Sequence, residues 1–246
     1  MAAPDRIKVL VLGDSGVGKS TLVHLITHPD QVKNGLSWTI GCSIEIKLHE
    51  YNQGTPSERT CLLELWDIGG SRSHFVARPI LYTGFHGIIL VHDLTNRKSH
   101  ENLRKWLSEV FSPRDVSRVS TAFSLSALFG APPTYECMDF DKELFIEKNV
   151  PVMVIGCKLD LASSQNRRER TSSIAQECGA EEIFVDCHNE KSFAPASTNA
   201  VKLSRFFDKV VERKYNSFSR VLPSNDHRTT PRFTLSGHPA RFSHLD

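Results

Sequence analysis

The sequence predicts an α/β fold: a six-stranded, mostly parallel sheet with helices on both faces and one antiparallel edge strand. Three observations carry that expectation. Short, almost wholly apolar runs recur along the chain, and most are followed by a stretch with helical periodicity. The first run passes through a glycine-rich loop directly into a helical stretch. One pair of strand-like runs differs in character, meeting at a turn-rich joint, and its first member alternates polar and apolar residues.

Taken in order, "IKVLVLG" (7–13) is the first strand, and its near-continuous apolarity suits a strand covered on both faces. The stretch Lys19–Thr27 is helical and stops before Pro29, which cannot continue a helix. "CSIEIKLHEY" (42–51) and "TCLLELWD" (60–67), joined through "YNQGTPSER", read as an edge hairpin. "GIILVHD" (87–93) is a further buried strand, and the helix expected over 99–110 puts Leu103, Trp106, Leu107 and Val110 on one face. "PVMVIGC" (151–157) and "EIFVDC" (182–187) complete the sheet. The last helix, 199–215, carries Val201, Leu203, Phe206, Phe207, Val210 and Val211 as a broad apolar stripe, with Asn199 as its expected N-cap.

Two regions break the alternation. Residues 112–140 are rich in Ser, Pro and Gly and form a connection longer than a compact domain ordinarily uses, an insertion or long loop. Residues 217–246 are polar, with scattered Arg and His, and are expected to lack structure. The organisation read from the sequence is thus one domain over 1–215 and a flexible C-terminal tail over 216–246.

Bulk composition narrows the function classes. A net charge of +2 gives no global attraction to nucleic acid or an anionic membrane, so no nucleic-acid partner is expected. The six cysteines show neither a C-x-x-C pair nor ligand-like spacing with histidine, which fits reduced thiols in the cytoplasm. "MAAPDR" lacks the layout of a signal peptide, and no apolar run approaches the length of a bilayer span.

The chemistry concentrates in "GDSGVGKS" (13–20), which matches G-x-x-x-x-G-K-[ST] between a strand and a helix, as that motif requires. Its glycines let backbone N–H groups turn inward as a nest for phosphate oxygens, and the helix N-terminus adds partial positive charge. Asp14, Ser15, Gly16, Val17, Gly18, Lys19, Ser20 and Thr21 are therefore candidate nucleotide-binding residues. Lys19 reaches the terminal phosphates, and the Ser20 hydroxyl is a ligand for Mg²⁺. The motif by itself does not choose between GTP and ATP.

"TIG" (39–41), "WDIGG" (66–70), "GIILVHDLT" (87–95) and "CKLD" (157–160) follow in the order and approximate spacing of the Ras-like small GTPases, with the Rab branch nearest in layout. The chain resembles that family from about residue 6 to residue 215, except over 112–140. The resemblance implies a P-loop small-GTPase domain that binds GTP or GDP with Mg²⁺. It further implies that Thr39 ligates Mg²⁺ and senses the γ-phosphate, that Asp67 holds the metal, and that the Gly70 N–H bonds the γ-phosphate. At the base, Asp160 would select guanine, the stem of Lys158 would lie along the ring, and Leu159 and the backbone around Asp186 and Cys187 would complete the pocket. Plainer readings stand beside these: Asp160 as a turn cap, Lys158 as surface.

The chain departs from the family at three places. Cys157 stands where the guanine motif usually has Asn, and a missing hydrogen bond there costs ~1–3 kcal/mol, tenfold or more in affinity. "DCHN" (186–189) replaces the usual second base loop. Cys157 and Cys187 are expected close together, either as packed side chains or as a redox pair. Ser71 occupies the position where a glutamine usually orients the attacking water, and it is too short to do so from the same backbone. Lys19, Gly70 and Ser71 are accordingly the residues that bear on catalysis, with His74 as a weak substitute base or an exposed helix residue.

Two functional readings stay open at this point. One is a regulatory GTP-binding switch with slow intrinsic hydrolysis, whose segments 30–41 and 69–83 change order with the γ-phosphate and act on effector or regulatory proteins. The other is an interaction scaffold stabilised by a nucleotide it scarcely turns over. A homodimer through the switches or last helix is compatible with either, and the ending "RFSHLD" leads us to expect no prenyl anchor. A kinase or ATPase of another P-loop class fits poorly, given "CKLD" and no lid signature.

Overall fold

The computed structural model describes residues 4–31, 35, 37–75, 77–111, 142–162 and 173–219. The expected insertion at 112–140 and the tail beyond 219 lie outside the described residues. The four apolar runs and the hairpin form one sheet: β1 (Asp5–Leu12), β2 (Cys42–Tyr51), β3 (Arg59–Ile68), β4 (Gly87–Asp93), β5 (Val152–Cys157) and β6 (Glu181–Phe184). Their order is β2-β3-β1-β4-β5-β6, with β2 antiparallel to β3 and every other pairing parallel. The expected edge hairpin and the single antiparallel edge strand are both present.

Alternation along the strands splits the core between the two faces of the sheet. Ile7, Val9 and Val11 of β1 point to a cluster with Leu22 and Leu25 of α1 (Lys19–Thr27) and with Phe206, Phe207 and Val210 of the last helix. Leu10 and Leu12 point to the opposite cluster with Leu103, Trp106 and Leu107. β4 and β5 are buried along their whole length, which is why their sequence shows no alternation.

Two helical details differ from the sequence expectation. The helix expected over 99–110 is two: α2 (Arg97–Glu101) and α3 (Leu103–Phe111), separated at Asn102. α2 begins early because the Asn96 side chain accepts from the Lys98 N–H as an N-cap. At the break, Asn102 Nδ2 donates to Asp14 Oδ2 across 2.7 Å, a tertiary bond that spacing alone does not reveal. After α4 (Lys142–Lys148) and α5 (Ser173–Glu177), the last helix, α6, runs Thr198–Ser219, four residues past the expected end. Its cap is Ser197, whose Oγ accepts from the Ala200 N–H at 3.2 Å; Asn199 lies inside the helix and donates to the Phe184 carbonyl.

β6 also stops earlier than the apolar run. Val185, Asp186 and Cys187 leave the sheet and turn over the C-terminal end of β5, held by the bond from the Val185 N–H to the Gly156 carbonyl. That turn places Cys187 on the same side as the loop following β1. Open parallel sheets bind ligands at this end of the strands, and the site residues gather there.

Candidate nucleotide site

The loop between β1 and α1 is shaped by close packing. A Cβ at Gly13 would stand 2.1 Å from the Val91 carbonyl oxygen, so only glycine lets the loop lie this close to β4. Gly18, in the left-handed region at φ 103°, opens α1. Lys19 is 6% exposed, and its Nζ donates back to the carbonyls of Gly13 (2.8 Å) and Asp14 (2.9 Å). Burial pulls the Lys19 pKa below its ordinary value, against the opposing charges of Asp67 and Asp14.

Asp14 turns its carboxylate away from this loop. It accepts from Asn102 Nδ2 and from Trp106 Nε1 (2.9 Å), tying the loop to α3. Val17 is likewise a core residue. Of the loop residues expected to bind nucleotide, these two turn their side chains elsewhere. Ser15, Gly16, Gly18, Lys19, Ser20 and Thr21 line a cleft of about 270 Å³.

The three expected metal ligands converge at one end of that cleft. Ser20 Oγ lies 2.9 Å from Thr39 Oγ1 and donates to Asp67 Oδ2, which also accepts from Thr39 Oγ1 at 3.0 Å. Asp67 is 1% exposed, and its other oxygen, Oδ1, has no hydrogen-bond partner among the described residues. Burial raises the Asp67 pKa, more than the hydroxyl bonds and the Lys19 charge lower it. Two hydroxyls and a buried carboxylate with an unsatisfied oxygen form a hard-oxygen donor set that fits Mg²⁺.

Gly70 closes over the same loop. A Cβ there would stand 2.4 Å from Ser15 N and 2.8 Å from the Gly13 carbonyl oxygen. The Gly69 N–H bonds the Gly41 carbonyl at 2.9 Å, joining the segment after Thr39 to the segment after β3. Ser71 is engaged elsewhere. Its Oγ accepts from the Ser73 N–H and lies 2.7 Å from Ser73 Oγ, capping the 3-10 turn Arg72–His74. His74, expected as exposed or as a base, is half-buried in that turn, its Nδ1 facing Gly69.

At the other end of the cleft, Lys158 adopts φ 63° and its Nζ donates to Asp93 Oδ2 at 2.7 Å. Burial pushes the Asp93 carboxyl up, but the bonds from Lys158 and Thr95 more than offset it and leave the pKa lowered. Lys158 and the exposed Asp160 line the cleft, and the Leu159 N–H bonds the Val185 carbonyl. Asp186 Oδ1 accepts from the His188 N–H, which shapes the second loop internally. Cys187 Sγ lies 3.6 Å from Cys157 Sγ, so the two thiols are in contact, as expected. The bond from Cys187 and complete burial both push the Cys157 thiol well above its ordinary range.

The sequence reading missed several participants. Ser37, Trp38 and His188 also line the cleft, and Asp93 anchors Lys158. Ser37 and Trp38 had a signal in their adjacency to Thr39. Asp93 had one as the last residue of an apolar run.

The family model described as the Ras family matches residues 8–123. Rab-like protein 3 of Xenopus tropicalis is 46% identical over 230 residues, 91% of this chain and 92% of that relative. Rab-like protein 3 of Mus musculus is 48% identical over 222 residues, 87% and 88% of the two chains. Small GTPase-like protein LIP2 of Arabidopsis thaliana is 36% identical over 173 residues, covering 66% of this chain and 46% of that one. A glycine-rich loop and a converged hydroxyl–carboxylate set stand at one end of a six-stranded sheet, and relatives at 46–48% identity cover nearly the whole chain. The chain therefore belongs to the Ras family of small GTPases, in its Rab-like group.

Proposed function

We propose that the chain is a GTP-binding regulatory protein with slow intrinsic hydrolysis, whose segments 30–41 and 69–83 respond to the γ-phosphate. The observation that carries this reading is the contact set joining Thr39, Asp67 and Gly70 to the phosphate loop. Bound Mg²⁺ would neutralise charge on the β- and γ-phosphates, held by Ser20, Thr39 and Asp67. Lys19 and the N-terminus of α1 hold the phosphates, and the Gly70 N–H reports whether the third is present. Asp160 orients guanine while Lys158, fixed by Asp93, covers the ring.

Ser71 supports slow turnover. Its hydroxyl is occupied as a cap, and its side chain ends short of any position from which it could order water over the loop. Partners are proteins: Trp38 and Ile40 are each 83% exposed, and Ile44, Ile46 and Leu48 continue the apolar row along edge strand β2. The same row would serve a second copy of the chain. The five described cysteines are free, which supports a cytoplasmic setting, and no described helix is long and apolar enough to cross a membrane.

The scaffold reading draws on the same cap and on Cys157, which removes an amide from the base pocket. Ser71→Gln separates the two. Under the switch reading, single-turnover GTP hydrolysis rises by roughly 10- to 100-fold, since a positioned group of this kind contributes on the order of 10²-fold or more. An unchanged rate with GTP bound would show that serine is not what limits turnover, and would favour the scaffold.

A further inference from the structure

We propose a second cation site, remote from the phosphate loop, in which His92, His100 and Glu182 bind a Zn²⁺-class ion. The three residues come from separate elements, β4, α2 and β6, and one donor atom of each lies within 4.8 Å of the others. His92 is completely buried, yet neither of its ring nitrogens has a hydrogen-bond partner among the described residues. A buried imidazole must present one N–H and one lone pair, and leaving both unmet destabilises the fold. A cation satisfies the lone pair where no described residue provides a donor.

The geometry is close to what such an ion needs. His92 Nε2 stands 3.5 Å from Glu182 Oε1 without the alignment of a hydrogen bond. Donors on a tetrahedral Zn²⁺ with bonds of about 2.1 Å stand roughly 3.4 Å apart. The ring of His100 faces that of His92 edge-on, centroids 4.9 Å apart, and closes on the ion by side-chain rotation. Gly156 leaves the room: a Cβ there would stand 3.1 Å from His92 Cε1. His100 and Glu182 are only half-buried and give the ion a way in. Two borderline imidazole nitrogens beside one hard carboxylate suit Zn²⁺ over Mg²⁺ and leave a fourth position for water. The ion would tie α2 to β6 directly behind Asp93, the anchor of Lys158.

A second triad, His24, His28 and Glu45, has comparable spacing, with His28 exposed. Thr27 Oγ1 donates to Glu45 and lies 2.9 Å from His28 Nδ1. It serves as the control. The full chain, loaded with GDP and Mg²⁺, is titrated with Zn²⁺ against a chromophoric chelator. One equivalent is expected to bind and to raise the melting temperature. Affinity falls by roughly 100-fold or more in His100→Ala and in the near-isosteric Glu182→Gln, and stays unchanged in His28→Ala. Co²⁺ in the same site shows ligand-field bands without sulfur charge transfer. No binding, binding insensitive to His100→Ala and Glu182→Gln, loss in His28→Ala, or a thiolate band would each overturn the proposal.

Discussion

Lys19→Ala is expected to weaken GTP and GDP binding by roughly 10²- to 10⁴-fold. A charge-assisted hydrogen bond contributes ~1.5–3 kcal/mol, and the ammonium is positioned to make one such bond to each of two phosphates. The side chain is buried at the mouth of the loop and its charge is held there by the Gly13 and Asp14 carbonyls, so no other cation of the cleft lining can take its place at the loop. Titration with a fluorescent guanine nucleotide measures the effect, and a thermal melt confirms that the fold survives. An affinity within threefold of the natural chain would remove phosphate binding from this loop.

Gly70→Ala separates nucleotide binding from nucleotide sensing. The added methyl would meet Ser15 N at 2.4 Å and the Asp14 carbonyl carbon at 2.6 Å, backbone atoms that cannot rotate aside. The segment after β3 must therefore lift from the loop, taking the Gly70 N–H with it. The preference for GTP over GDP should fall by roughly 10- to 100-fold, the worth of one hydrogen bond to a charged phosphate, while GDP affinity changes only a few-fold. Paired titrations with GDP and a non-hydrolysable GTP analogue read this directly. Equal losses for both nucleotides would mean that Gly70 shapes the loop rather than reading the γ-phosphate.

Much of the architecture was legible because it rests on patterns with a fixed period. β4 and β5 announce themselves as unbroken apolar runs because both faces of the sheet are covered. β2 announces itself as an edge by alternating. What stayed hidden depends on tertiary contacts. The break at Asn102 follows from a bond to Asp14, 88 residues away in sequence. The cap of α6 fell to Ser197 because Asn199 is needed at Phe184.

The site was legible to a similar degree. Ser20, Thr39 and Asp67 were named from motif order, and they meet through short hydroxyl–carboxylate contacts. Asp14 and Val17 carry the motif yet point away, Asp14 to Trp106 and Val17 into the core, contacts that motif spacing does not reveal. Ser71 was recognised as too short for its neighbours' chemistry. Its role as a cap for residues 72–74 appears only in three dimensions.

A GTP-binding protein that hydrolyses slowly by itself keeps a record of it in the nucleotide it carries. Freshly purified chain is denatured and the released nucleotide is identified by ion-exchange chromatography. Mostly GTP is expected, because Ser71 would leave the attacking water unordered while Lys19, Gly70 and Asp160 would hold the ligand. Mostly GDP would show instead that another group positions the water and that hydrolysis runs without help.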